Sequence, residues 1–215
     1  CGEGKYSGDY GAASEATCLD CGSGKYSTTA GASSQGSCVD CAAGKYSTAP
    51  GASVETACIA CAKGKYSTAV GAVSDATCLS CGAGKYSTTL GASLSSTCQD
   101  CNAGKYSVNT GASSADTCQN CGAGKYSPGE AGAVSDAVCV SCGEGKYSTS
   151  PGATSEGTCE ECGAGTYSTT VGAVSDATCL ECGAGKYSGD SGNTDESMCE
   201  KCPEGTHSSG TGATS

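Results

Sequence analysis

Cysteine recurs along this chain with a period of twenty residues. After Cys1 the cysteines come in doublets at 18/21, 38/41, 58/61, 78/81, 98/101, 118/121, 139/142, 159/162, 179/182 and 199/202. Each doublet is Cys-x-x-Cys, and sixteen residues separate one doublet from the next, seventeen in the case of Cys121 and Cys139. Such a period marks a tandem array, in which one small unit is solved once and then repeated.

The units are too poor in apolar side chains to fold around an ordinary core. The chain has no Phe and no Trp, and its five Leu, one Ile and ten Val are the only large aliphatics among 215 residues. A composition like this alone belongs to disordered chains. The 21 cysteines reverse that expectation, because disulfides hold folds that burial cannot. They persist in oxidising surroundings, so the expected location is extracellular, secreted or at a cell surface. The formal net charge is −11 and every cation is a lysine. Without arginine, and with excess acid, nucleic acid is not an expected partner. No apolar run in this segment reaches membrane-spanning length. The first and last residues both fall in mid-pattern, which reads as an excerpt of a longer chain.

No composition shift interrupts the array, so residues 1–215 are expected to form a single continuous repeat array. Its units are 1–20, 21–40, 41–60, 61–80, 81–100, 101–120, 121–141, 142–161, 162–181 and 182–201, with a partial unit at 202–215. The seventh carries one extra residue around Pro128 to Ala131. Besides cysteine, three positions are the same in all eleven units: the Gly of the Gly4 series, the Ser of the Ser7 series and the Gly of the Gly11 series. The last of these suits a turn that needs positive φ. The Gly-Lys-Tyr-Ser stretch before it has strand character, and the return toward the doublet, through Ser34 to Cys38 for example, is the expected second arm of a hairpin. No helix is expected, since no 3.6-residue apolar stripe occurs.

Three cysteine pairings need weighing. Closure within a doublet would staple nothing distant. Pairing crossed over two units would impose a forty-residue period that the sequence lacks. Pairing the second cysteine of one doublet with the first of the next treats every unit alike. It gives Cys1–Cys18, Cys21–Cys38, Cys41–Cys58, Cys61–Cys78, Cys81–Cys98, Cys101–Cys118, Cys121–Cys139, Cys142–Cys159, Cys162–Cys179 and Cys182–Cys199, with Cys202 left for a cysteine beyond the excerpt. This third scheme is the expected one. Four thiolates spaced as Cys18, Cys21, Cys38 and Cys41 also fit a zinc ribbon, but doublets used two at a time should alternate in their flanks, and these do not. No metal site is therefore assigned.

One ring recurs per unit: Tyr6, Tyr26, Tyr46, Tyr66, Tyr86, Tyr106, Tyr126, Tyr147, Tyr167 and Tyr187, with His207 at the equivalent place in the partial unit. These are the expected packing residues, each lying on a disulfide or a glycine-rich backbone with its hydroxyl toward solvent. Acidic side chains recur beside the doublets, at Asp20, Asp40 and Glu161 for example, and read as a solvated face partly balanced by the lysines. Hydroxyls at the turns, namely Thr28, Thr29, Thr48, Thr68, Thr88, Thr89, Thr149, Thr169 and Thr170, are candidates for O-linked glycans, which an intact mass equal to the bare chain would exclude. No other cofactor is expected. His207 is the sole histidine, no nucleophile–base set can be assembled around it, and no enzyme is expected.

Cys202-Pro203-Glu204-Gly205-Thr206-His207-Ser208 and Cys162-Gly163-Ala164-Gly165-Thr166-Tyr167-Ser168, each followed by a glycine turn, resemble the ephrin-receptor-like cysteine-rich repeat of the growth-factor- and tumour-necrosis-factor-receptor class. The other units lack the proline and carry Lys for Thr, apart from a proline-free Thr166. The resemblance spans the whole chain and implies extended, non-enzymatic ectodomains of disulfide-linked hairpins. The expected fold is thus small disulfide-rich β: an elongated, disulfide-laddered rod of about 20-residue β-hairpin units with little or no helix. The expected function is structural, as the repeat region of an extracellular fibre, filament, stalk or cell-surface appendage, self-associating or contacting other surface proteins. The alternative is the ectodomain of a receptor or adhesin that binds a protein ligand.

Overall fold

The computed structural model describes residues 1–11 and 14–215. Among the described residues, ten two-stranded antiparallel sheets follow one another, each a hairpin of two-residue strands. In the second repeat Lys25–Tyr26 pairs with Val39–Asp40, Lys25 opposite Asp40 and Tyr26 opposite Val39. The other nine hairpins keep the same register, from Lys5–Tyr6 with Leu19–Asp20 to Lys186–Tyr187 with Glu200–Lys201. Ten disulfides join Cys1–Cys18, Cys21–Cys38 and so on to Cys182–Cys199, with Cα atoms 5.4–5.7 Å apart. Cys202 is the one free cysteine among the described residues.

The second arm of the hairpin lies elsewhere than its sequence suggests. It is the dipeptide inside the doublet, such as Val39–Asp40, while the segment before Cys38 forms a one-turn 3₁₀ helix at Gln35–Ser37. Local hydrogen bonding explains the shift. The Cys38 N–H donates to the Gln35 carbonyl, and the Ser37 hydroxyl donates to the Ser34 carbonyl. These i to i−3 bonds satisfy groups that a longer strand would have had to pair across the hairpin. The same turn recurs in every repeat, with a threonine hydroxyl in place of Ser37 at Thr17, Thr77, Thr97, Thr117, Thr158 and Thr178.

The chain divides into two compact bodies, Cys1–Asp100 with Asn109–Thr117, and Cys101–Val108 with Cys118–Ser215. Within the first body each repeat binds the next through main-chain hydrogen bonds. Gly4 N–H donates to Ser27 C=O, Ser7 N–H to Ala32 C=O, and Gly31 N–H to Cys1 C=O, at 2.8, 3.0 and 2.8 Å. At about 1 kcal/mol net per bond, such a junction contributes about 3 kcal/mol. The second body repeats the pattern, for example with Gly145 to Ser168, Ser148 to Ala173 and Gly172 to Cys142. The extra residue of the seventh repeat disturbs none of this. Gly132 N–H reaches Cys101 C=O at 2.8 Å and Ser107 N–H reaches Ala133 C=O at 3.0 Å, while Pro128 to Ala131 form an exposed tip.

Among the described residues, the buried side chains are the half-cystines, the alanine after the turn glycine, the serine after tyrosine, and Asn193. Asn193 stands where other repeats have that alanine, and the two hydrogens of its amide are shared among Thr166 C=O, Asp190 C=O and Ser188 Oγ at 2.9–3.0 Å. Its polarity is thereby matched by acceptors, as a buried amide requires. Every aliphatic side chain larger than alanine stays at least partly accessible, so the repeats are held by sulfur bridges and backbone bonds rather than by an oily interior.

Candidate functional site

Two glycines per repeat make the close packing. The turn glycine, Gly31 for example, has φ +71°, as the sequence suggests for that position. The glycine before lysine also has positive φ, +78° at Gly24, and it meets a repeat two places along. A Cβ on Gly24 would lie 2.2 Å from the Gly71 carbonyl oxygen, and one on Gly64 would lie 2.1 Å from that of Gly111. In the second body Gly124 meets Gly172 in the same way. Within the bodies, the side chain just before a second doublet cysteine lies against the same downstream turn, as Asp20 does at Gly51 and Asp40 at Gly71.

The serine after tyrosine is buried to within about 1% of its surface in most repeats, and its oxygen accepts the N–H two residues on, at Thr29, Ala69 and Thr89 for example. Both the serine and the first glycine repeat without exception, but nothing in one unit taken alone indicates their roles. The signal is their invariance among units that otherwise vary.

The tyrosines are half-buried rather than central. Their main chain forms a parallel bridge to the alanine of the next repeat, as Tyr26 does to Ala52. His207 is exposed, so it fills no interior space here. Tyr147 donates its hydroxyl to Glu160 at 3.0 Å and Tyr187 to Glu200 at 2.9 Å. That hydrogen bond, the first cause in both cases, raises the phenol above its ordinary 10.0. A folded value above the unfolded one gives a contribution to stability that is complete below the ordinary phenol range and lost as pH rises through the raised value. In an ultraviolet titration of the eleven tyrosines, a late-ionising component from these two is expected, and Glu160→Gln with Glu200→Gln should merge it with the rest.

Six of the lysines are paired with acids on the repeat surface. Lys5, Lys25 and Lys85 bridge to Asp20, Asp40 and Asp100 across the strands, and Lys45, Lys146 and Lys186 reach Glu55, Glu156 and Glu196 on the 3₁₀ turns. These pairs are exposed and worth about 0–1 kcal/mol each. Asp195 caps its turn, and the Ser197 hydroxyl and N–H hold its carboxyl below the ordinary 3.8. The threonines marked for glycan attachment, Thr28 through Thr170, are all exposed.

Shallow concavities of about 350, 470 and 360 Å³ are lined respectively by Ser7, Asp9 and Tyr10; by Lys45, Glu55 and Thr56; and by Tyr66, Lys85 and Ser95 among others. Among the described residues, no His, Cys, Asp and Glu group is placed to hold a metal ion, and no helix is long and apolar enough to cross a membrane. No known family model matches the chain, and no curated protein matches it significantly. The geometry itself is that of a cysteine-rich repeat protein: tandem hairpins of about twenty residues, each closed by its own disulfide.

Proposed function

We propose that this chain is the repeat region of an extracellular structural protein, a fibre, filament, stalk or cell-surface appendage, and that it has no enzymatic role. The observation that carries the reading is the uniformity of the joints. Within each body the repeats make the same main-chain bonds to themselves and their neighbours, and the positions that vary, such as Ala30, Pro50, Val70 and Leu90 before the turn glycine, are exposed. An array of equal joints transmits load and sets length, whereas a ligand site needs a few repeats that differ in what they present. Ten disulfides favour an oxidising, extracellular setting. The resemblance to ephrin-receptor-like repeats fits a non-catalytic extracellular array. Electron microscopy of native material tests the reading. Regular fibres or appendages whose axial period is commensurate with the repeat are expected, and a monomeric, membrane-anchored receptor ectodomain would overturn it.

A further inference from the structure

We propose that tension along this chain is carried by a covalent thread much shorter than its backbone, so that the array is a length-limited tether that outlasts cuts in its loops; this rests on the structural reading above. Each bridge brings the Cα atoms of two cysteines to 5.4–5.7 Å. A path from Cys1 to Cys199 can therefore skip the sixteen residues inside each bridge, seventeen in the seventh repeat. What stays on the path is the ten bridges and the nine doublets from Cys18/Cys21 to Cys179/Cys182. Its taut length is about 150 Å, against about 700 Å for the open backbone. The doublet dipeptides add little slack. Leu19–Asp20, Val39–Asp40 and their counterparts are already strands, at about 3.3 Å per residue against about 3.6 Å at most. The main-chain bonds between repeats, such as Gly24 N–H to Ser47 C=O, lie outside the thread. Breaking them can straighten the thread but cannot lengthen it past that limit.

The loops and the thread differ in how they meet a protease. Exposed tips such as Thr28 to Ala30 and Pro128 to Ala131 are where chains are cut most readily, and both lie inside bridged loops. The dipeptides of the nine doublets are instead paired strands held between two bridged cysteines, which opposes the local opening that cleavage requires. Lysine is distributed to the same effect. Ten of the eleven lysines fall inside the loops, and Lys201, in the last doublet, is the exception. A cut after any of the ten leaves both new ends attached to the thread through a half-cystine, except that paired cuts after Lys63 and Lys65 free the dipeptide Gly64–Lys65. A chain so connected stays continuous from end to end after damage that would sever an unbridged one.

Single-molecule force spectroscopy of the 215-residue chain, held at its two ends, tests the length limit. The oxidised chain is expected to stop lengthening near about 200 Å and the reduced chain near about 750 Å. An added dithiol cleaves each bridge to two thiols while closing to its own cyclic disulfide, and each cleavage should lengthen the chain by about 55 Å in one step. Trypsin in mild denaturant with the bridges intact tests the tolerance of cuts. Residues 1–201 are expected to run as one species without reductant and as short peptides with it. Ser80→Lys puts a lysine on the thread and should let trypsin split the chain after residue 80. The hairpin should accommodate it, since Lys201 already stands opposite Lys186 at the equivalent place. An oxidised chain that lengthens well past about 200 Å, a wild-type digest that falls apart without reductant, or a Ser80→Lys chain that stays whole while its reduced digest shows the cut would each overturn the thread. Native material without fibres or appendages would overturn the structural reading and leave these measurements as they stand.

Discussion

Reduction of the disulfides in native buffer is expected to unfold the chain completely, with loss of amide-exchange protection in every hairpin. The reason is what lies inside. The buried apolar side chains among the described residues are half-cystines and alanines, so cleaving the bridges leaves no interior large enough to oppose chain entropy. Removing one bridge grades the effect. Replacing Cys61 and Cys78 together by serine opens a loop with a sequence separation of 17. It should cost about 3 kcal/mol, read from the denaturant midpoint of the oxidised chain. Cys61 is 1% exposed, so the new hydroxyl also has to find a partner in a space shaped for sulfur. Exchange protection that persisted after full reduction would show that the backbone bonds suffice and that this account of the interior is wrong.

The second large effect is expected at Gly64. Alanine there must adopt φ +78° and place its Cβ 2.1 Å from the Gly111 oxygen and 2.9 Å from that of Ala112. The left-handed conformation costs about 1–2 kcal/mol for a residue with a Cβ. Forced separation of close-packed backbone adds about 1–3 kcal/mol. A loss of about 2–5 kcal/mol should follow, measured by chemical denaturation with the disulfides intact. Exchange protection should fall at Gly64 and at Gly111, two repeats away. Gly82→Ala is the control: that glycine has ordinary φ and open space where a Cβ would go, so a change within about 0.5 kcal/mol is expected. Equal losses from the two variants would remove the steric explanation.

These effects also separate what could be read in the sequence from what could not. Cysteine spacing gives the period, and the near absence of large apolar residues gives the dependence on bridges; together they point to a disulfide-rich β array before any coordinates are known. The Gly31 turn is legible because a tight reversal between two polar arms calls for positive φ. The role of Gly24 is not, because its constraint is a carbonyl 47 residues later, in a repeat whose position no local pattern specifies. Ser27 is hidden for a similar reason: a small polar residue after tyrosine looks like loop until the next repeat covers it. The second strand lies where the sequence does not suggest it because Leu19–Asp20 and its equivalents vary in chemistry from repeat to repeat and are only two residues long, too short for alternation to show. Tyrosine drew attention as the only recurring ring, yet alanine, through the Tyr26–Ala52 bridge and its counterparts, sits deeper.

The glycine contact that skips a repeat has a genetic consequence. Each joint refers only to positions one or two units away, so excising residues 41–60 would set Cys61 where Cys41 stood. Gly24 would then find Ser67 in place of Ser47 and Gly91 in place of Gly71, the same chemistry at every join. Unequal recombination between such similar copies changes reach by whole increments and leaves each surviving joint intact. A frame error of a few residues at a join would put side chains where only hydrogen fits. Whole copies can therefore be gained or lost with each joint intact, while sterics hold the fit of each glycine to its partners and only the loop tip, as at Pro128 to Ala131, takes up an extra residue.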